Sequence, residues 1–248
     1  MGFLGFRLSR EIWKSLGMSA GERAKYLKSL FAEAVRDFVS IRYLDVGAGL
    51  GYNSLAFGRD AHDILVVDLH FPENNVLRDV DNVHMVVADA RFLPFRDEVF
   101  DMISLFSVIE HVSNQEAVIK DVFRLLKANG YLIIQIPNKF FPIELHSGLP
   151  FAFFVPLKVR GRFFKKFGHE GLGKINVPSI GQLKNMILRV GLECEFCIRK
   201  VVYPPVIIWS KLRFFYKTAL KLGILSVIPL GYMLILKKVA RWHLKDSV

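Results

Sequence analysis

Acidic residues are scarce in the second half of this 248-residue chain, where residues 150–248 hold 4 Asp and Glu against 18 Lys and Arg. Residues 1–149 hold 19 against 16, so the two parts carry net charges of +14 and −3. Cysteine is nearly absent. The two thiols, Cys194 and Cys197, provide no disulfide framework. They stand three apart in an expected strand, which turns them to opposite sides. Zinc needs four ligands, and no second Cys or His pair is suitably spaced; buried thiols are expected. Long apolar runs are also missing. The longest uncharged run, Leu222–Leu236, has 15 residues and is interrupted by Pro229 and Gly231, whereas a spanning helix needs about 20. Arg7, Arg10, Glu11 and Lys14 break any signal-peptide core. Met1-Gly2 is followed by Phe6 where a myristoylation signal carries Ser or Thr. A cytoplasmic location is expected.

Glycine is placed where it matters. The apolar strand Arg42–Val46 feeds into Gly47, Gly49 and Gly51, with a helix expected from about Leu50. Glycine accepts positive φ and lets backbone approach a ligand closely. Strand, turn and helix form the opening unit of a nucleotide-binding α/β sheet. Asp68 ends the next strand, Ile64–Asp68, and Asp89 ends the one after, Met85–Asp89. Three polar strand ends therefore share one carboxyl edge, where open α/β sheets bind ligands. The dinucleotide fingerprint Gly-x-Gly-x-x-Gly is the main rival, but this turn reads Gly-x-Gly-x-Gly.

Local patterns place further elements. Residues 19–39 read as a helix capped by Ser19. Ser113 and Glu116 form a capping box before Val118, Val122, Leu125 and Leu126, and Asn129-Gly130 ends that helix. Ser179 and Gln182 repeat the device before Leu183, Met186, Ile187 and Val190. Strand five is expected over Tyr131–Ile136, and the last two over Glu193–Val201 and Gly231–Lys238. No repeat or low-complexity linker interrupts the chain.

With these motifs the chain resembles the class I S-adenosylmethionine-dependent methyltransferases, in the broad group that includes the ubiquinone- and menaquinone-biosynthesis enzymes. The resemblance lies in LDVGAGLG, VVDLH, DARFLPFRDEVFDMISLFSVIEHV and LLKANGYLIIQIPN. It covers residues 40–138 well, and 179–204 and 231–239 more loosely. It implies a Rossmann-like, doubly wound, mostly parallel seven-stranded α/β sheet with helices on both faces and helical insertions near the C-terminus. One domain over 1–248 is expected: an N-terminal helical segment (1–40), a cofactor-binding core (41–138), and insertions at 139–178 and 205–229 for a substrate lid or membrane contact.

The resemblance also implies S-adenosylmethionine as cofactor, held by Asp45, Gly47, Ala48, Gly49, Gly51, Asp68, Leu69, Asp89, Ala90 and Phe106. A carboxylate at Asp68 can accept from both ribose hydroxyls. Asp89 suits the adenine amine, with the Ala90 N–H donating to the ring, and Asp45 suits the ammonium, directly or through water. The alternative for each acid is a helix cap or a surface carboxylate.

Methyl transfer needs a positioned acceptor and, for an oxygen acceptor, a base. His146, after strand five, and His111, beside Glu110 after strand four, are the catalytic candidates; a loop-pinning role is the alternative. Some similar O-methyltransferases hold a divalent ion on Glu-x-x-Glu-His. Here Ser107 replaces the first Glu, which lowers the charge of such a site, so no metal is expected.

The expected partner is a hydrophobic or lipid-linked small-molecule acceptor, with an anionic membrane surface as a second. Basic residues alternate with aromatic clusters in 158–166 and 211–217, a mixture that suits anionic surfaces. A nucleic-acid partner is not expected, because no recognisable binding module flanks the core. A catalytically silent S-adenosylmethionine-binding adaptor is the other alternative.

Overall fold

The computed structural model describes residues 20–35, 42–59, 61–141, 154–167, 173–202, 218, 221–224 and 228–239. Seven strands form one sheet: β1 (Arg42–Val46), β2 (Asp63–Asp68), β3 (Val83–Val87), β4 (Phe100–Phe106), β5 (Leu126–Pro137), β6 (Cys194–Val201) and β7 (Gly231–Lys238). Their order is β3-β2-β1-β4-β5-β7-β6. β1 to β5 run parallel, and β7 lies antiparallel to both β5 and β6. The chain winds outward from β1 in one direction and from β4 in the other. The junction between those two strands is thus a topological switch point, the place where such sheets bind ligands.

Among the described residues the sheet is accompanied by the helices α1 (Ala20–Ala34), α2 (Tyr52–Gly58), α3 (Gln115–Leu125), α4 (Leu157–Lys166) and α5 (Ile180–Arg189). Side chains alternate across a strand, and both faces of this sheet are apolar. Tyr43, Met102, Ile133 and Met233 join Leu27 and Phe31 of α1 and Phe57 of α2 in one layer. Their neighbours Leu44, Ile103, Ile134 and Leu234 join Val118, Ile119 and Val122 of α3 and Leu183 and Ile187 of α5 in the other. Burial on both faces explains why these strands read as nearly continuous apolar runs. The same alternation separates the two thiols. Cys197 packs on the first layer and Cys194 on the second, where burial pushes its thiol up to about 11. Both are half-buried rather than fully enclosed.

Several boundaries differ from the sequence expectations. The cap of α3 is Asn114, whose side chain accepts from the Ala117 N–H, so Ser113 stands one residue too early for that role. That helix stops at Leu125, and the chain enters β5 at Leu126 because Leu126 already pairs with Phe100 of β4. Asn129-Gly130 is consequently an irregularity inside β5, with Asn129 at φ +62. β3 stops at Val87, leaving Asp89 two residues beyond its end, on the Asp89–Phe92 turn. The link from β2 to β3 contains no helix; turns after Pro72 bring Leu77 into the core instead. α1 ends at Ala34, while Ser19 and residues 36–41 lie outside the described residues, as does most of the 205–229 insertion. The second capping box is present as read, with Ser179 and Gln182 each satisfying the other's backbone.

Gly51 shows why the turn after β1 demands glycine. It caps α2 at φ +87, and a Cβ placed there would lie 2.3 Å from Cγ of buried Leu77. Gly51→Ala is expected to cost about 1–3 kcal/mol in backbone strain alone, read as a lower denaturation midpoint. An unchanged midpoint would mean that the turn and Leu77 relax freely.

Candidate active site

The switch point carries an ordered turn. Gly47, Gly49 and Gly51 all have positive φ. The Gly47 and Ala48 N–H groups both donate to the Val67 carbonyl, at 2.6 and 3.2 Å. This draws the turn over the end of β2, where Asp68 is waiting. Asp68 accepts from the Gly49 N–H at 2.8 Å and, more weakly, from the His70 N–H at 3.3 Å. Two predicted cofactor residues, one in the turn after β1 and one ending β2, are therefore joined directly. Asp68 stays partly exposed, and each carboxylate oxygen retains a lone pair for a ligand. Leu69 beside it is 70% exposed, an apolar side chain left open at the carboxyl edge.

Asn75 secures this arrangement. Its amide donates to the Gly49 carbonyl at 2.6 Å, and its oxygen accepts from the Leu77 N–H at 2.8 Å. The residue is buried, yet nothing in its sequence context marks it, because the contact spans 26 positions.

Asp45 is committed to the interior. It shares a strand face with Tyr43, and its two oxygens accept from Ser104 and Ser54, each at 2.6 Å. Ser104 gives its hydrogen to Asp45, so Tyr43 must donate to Ser104, also at 2.6 Å. The result is a chain, Tyr43 to Ser104 to Asp45, met from the other side by Ser54. Burial raises the Asp45 carboxyl to about 6, against the hydroxyl bonds that lower it and with the nearby Asp68 charge adding to the rise. Burial and the Asp45 charge likewise push the Tyr43 phenol well above its usual range.

A stability consequence follows from Asp45. A carboxyl with a folded-state pKa above its unfolded value of about 3.9 keeps its proton better when folded. Between pH 4 and 6 the native state then binds more protons, and stability falls as pH rises. From 3.8 to about 6, this one group contributes a fall of roughly 3 kcal/mol. Asp45→Asn should flatten that segment of the stability profile, measured by denaturant unfolding at several pH values. A variant profile parallel to the wild type would contradict the assignment.

Asp89 is already paired. Arg91 donates to it through Nε at 3.0 Å, through Nη2 at 2.5 Å, and through its backbone N–H at 2.9 Å. The Arg91 side-chain bonds, then the backbone bond, hold its carboxyl below the usual range. Any ligand contact at Asp89 therefore shares the carboxylate with Arg91, a partner two residues along that the motif reading overlooked. Ala90, between them, is half-buried. Phe106 closes β4 with a buried ring packed on Phe57, 4.9 Å between centroids, so its side chain forms floor rather than lining.

Beyond β4, Ser107 takes φ +54 and its hydroxyl donates to the Gln135 side chain at 2.9 Å. The short helix Ile109–His111 follows, with Glu110 buried and His111 exposed. His146 lies outside the described residues. At the end of β5, Asn138 donates to the Pro229 carbonyl at 2.8 Å and fixes the start of the insertion. A recess of about 290 Å³ opens there, lined by Pro137, Asn138, Lys139, Phe140, Ser179 and Tyr232 among others. Among the described residues, no group of three or more His, Cys, Asp or Glu is placed to hold a metal ion.

The residues at the switch point fit an adenosyl ligand with an amino-acid tail. They offer a partly exposed acid for a ribose, an apolar edge for a base, and a positive-φ turn for close backbone approach. Sheet order, antiparallel β7 and this turn are those of the class I S-adenosylmethionine-dependent methyltransferase fold, which implies S-adenosylmethionine as the cofactor. The chain belongs to the methyltransferase-domain family, whose model matches residues 19–195.

Among relatives, the ubiquinone/menaquinone biosynthesis C-methyltransferase UbiE of Vibrio campbellii is 34% identical over 103 residues, 38% of this chain and 40% of that protein. The uncharacterized methyltransferase YcgJ of Bacillus subtilis is 31% identical over 99 residues, 38% of this chain and 39% of its own length. The chain thus spans about 40% of the length of these relatives. An S-adenosylmethionine-dependent methyltransferase structure from Mesorhizobium loti superimposes with a TM-score of 0.58 at 15% identity, covering 90% of this chain and all of that one. At that identity the likeness concerns the fold alone.

Proposed function

We propose that this protein transfers a methyl group from S-adenosylmethionine to oxygen on a hydrophobic or lipid-linked small molecule. The observation that carries the acceptor class is the acid-poor, aromatic insertion beyond β5. No Asp or Glu occurs between Glu144 and Glu170, and the rings of Phe140 and Phe154 meet 6.3 Å apart while both remain over half exposed. Such a surface suits an apolar acceptor better than a polar metabolite.

Bound S-adenosylmethionine supplies an electrophilic methyl group on a sulfonium. The chain's own part is to hold and orient. Asp68 takes the ribose hydroxyls while keeping its bond to Gly49, which couples ribose binding to the glycine turn. Leu69 and Ala90 flank the adenine, and Asp89 accepts from its amine beside Arg91. Gly47, Ala48, Gly49 and Gly51 let backbone approach the amino-acid end, above the buried Asp45. Phe106 supports the site from below. His146 or His111 removes the acceptor proton as the new bond to oxygen forms.

A carbon acceptor is the second reading, favoured by the printed activity of the UbiE relative. Labelled S-adenosylmethionine incubated with the protein and membrane lipid extract tests both. Label in the organic phase, resolved by mass spectrometry into a methyl ether or a ring methyl, supports the acceptor class and identifies the atom. Absence of label from the organic phase, with label transferred to total RNA in a parallel incubation, would overturn it.

A further inference from the structure

We infer that α4 and its flanking aromatic residues form a docking surface for an anionic lipid bilayer. The outward side of α4 is cationic. Lys158, Arg162, Lys165 and Lys166 are all exposed, and at 100° per residue they fall within an arc of about 100°. Arg162 stands four positions from both Lys158 and Lys166 and three from Lys165, spacings at which like charges face each other and repel. A merely solvated helix is usually relieved by interspersed acids. Here none occurs between Glu144 and Glu170.

The opposite side of α4 shows that this orientation is fixed. Arg160 is buried and donates to the carbonyls of Val155 and Ile175, each at 3.0 Å. Phe164 is buried against Ile175 and Val177. That return segment is tied in turn to the short helix after β4, since Asn176 donates to the Glu110 carbonyl at 2.8 Å and accepts from the Gln115 amide at 2.7 Å. One arginine of α4 is thus spent on structure, and four cations are held outward.

Exposed apolar groups stand on α4 and at its two ends. Phe154, Val159 and Phe167 are 58%, 46% and 50% exposed. Aromatic and aliphatic groups beside lysines and arginines match an interfacial membrane contact, in which rings enter the headgroup boundary and cations meet anionic lipids. The occupant is therefore a lipid surface. Among the described residues no helix is long and apolar enough to span a membrane.

The surface shares with the proposed function only its position on the insertion, and vesicle binding is read without methyl donor or acceptor. Full-length protein should co-sediment with phosphatidylglycerol–phosphatidylcholine vesicles, be released by high salt, and ignore pure phosphatidylcholine. The triple variant Lys158→Glu, Arg162→Glu, Lys166→Glu should bind about 10²-fold more weakly, from roughly fivefold per charge near an anionic leaflet. Its melting temperature and S-adenosylmethionine affinity should match the wild type, which separates lost docking from misfolding. A single substitution, Lys158→Glu, should give a smaller drop in the same direction. Equal binding to both vesicle types, full binding by the triple variant, or salt-dependent RNA binding without vesicle binding would each overturn the inference.

Discussion

His146→Ala is expected to cut turnover by about 10²–10⁴-fold, the scale of general base catalysis, while leaving S-adenosylmethionine affinity unchanged. An acceptor hydroxyl is a poor nucleophile until its proton leaves, and a neutral imidazole with an ordinary pKa of about 6.5 can take that proton at physiological pH. Turnover should therefore rise with pH through the histidine range and level off above it. His146 follows β5 by nine positions in the sequence, in the insertion over residues 139–178. His111 sits exposed at the neighbouring end of β4. Single-turnover kinetics on both alanine variants decide between them. Loss only in His111→Ala moves the base to the short helix after β4, and full activity in both removes histidine from the chemistry. Activity lost to chelators and restored by magnesium would replace the base with a metal.

Asp68→Ala should weaken S-adenosylmethionine and its demethylated product alike by about 1.5–3 kcal/mol, as for hydrogen bonds to a charged group. That is roughly 10–150-fold in affinity. The equality is informative, because the ribose is common to both ligands while the transferred methyl is not. Asp68 also anchors the Gly49 N–H at 2.8 Å, so its loss frees one end of the turn. Asn75 still holds the Gly49 carbonyl at 2.6 Å, which should keep the variant folded. Asp68→Asn, able to accept at one oxygen, should recover part of the affinity. A variant with wild-type affinity would place the ribose elsewhere.

The parts of the fold set by neighbouring residues were legible in the sequence. The glycine turn, the Ser179–Gln182 capping box and the opposed faces of Cys194 and Cys197 all depend on contacts within a few positions. Where two capping residues stand side by side, as at Ser113 and Asn114, local pattern cannot choose between them. The backbone entering α3 selects Asn114. Asn129-Gly130 misled for a related reason: an Asn-Gly pair marks a sharp turn but not whether helix or strand surrounds it. The interior partners of the site were not readable. Asp45 finds Ser104 across 59 positions, and Asn75 finds Gly49 across 26. Only the parallel pairing of β1 with β4, and the link after β2, bring these groups together.

Isothermal titration of the purified protein with S-adenosylmethionine, its demethylated product and NAD is the most direct measurement of what the switch-point turn holds. Saturable one-site binding of the first two, with no heat from NAD, is the expected result. Binding of NAD without binding of S-adenosylmethionine would contradict the assignment.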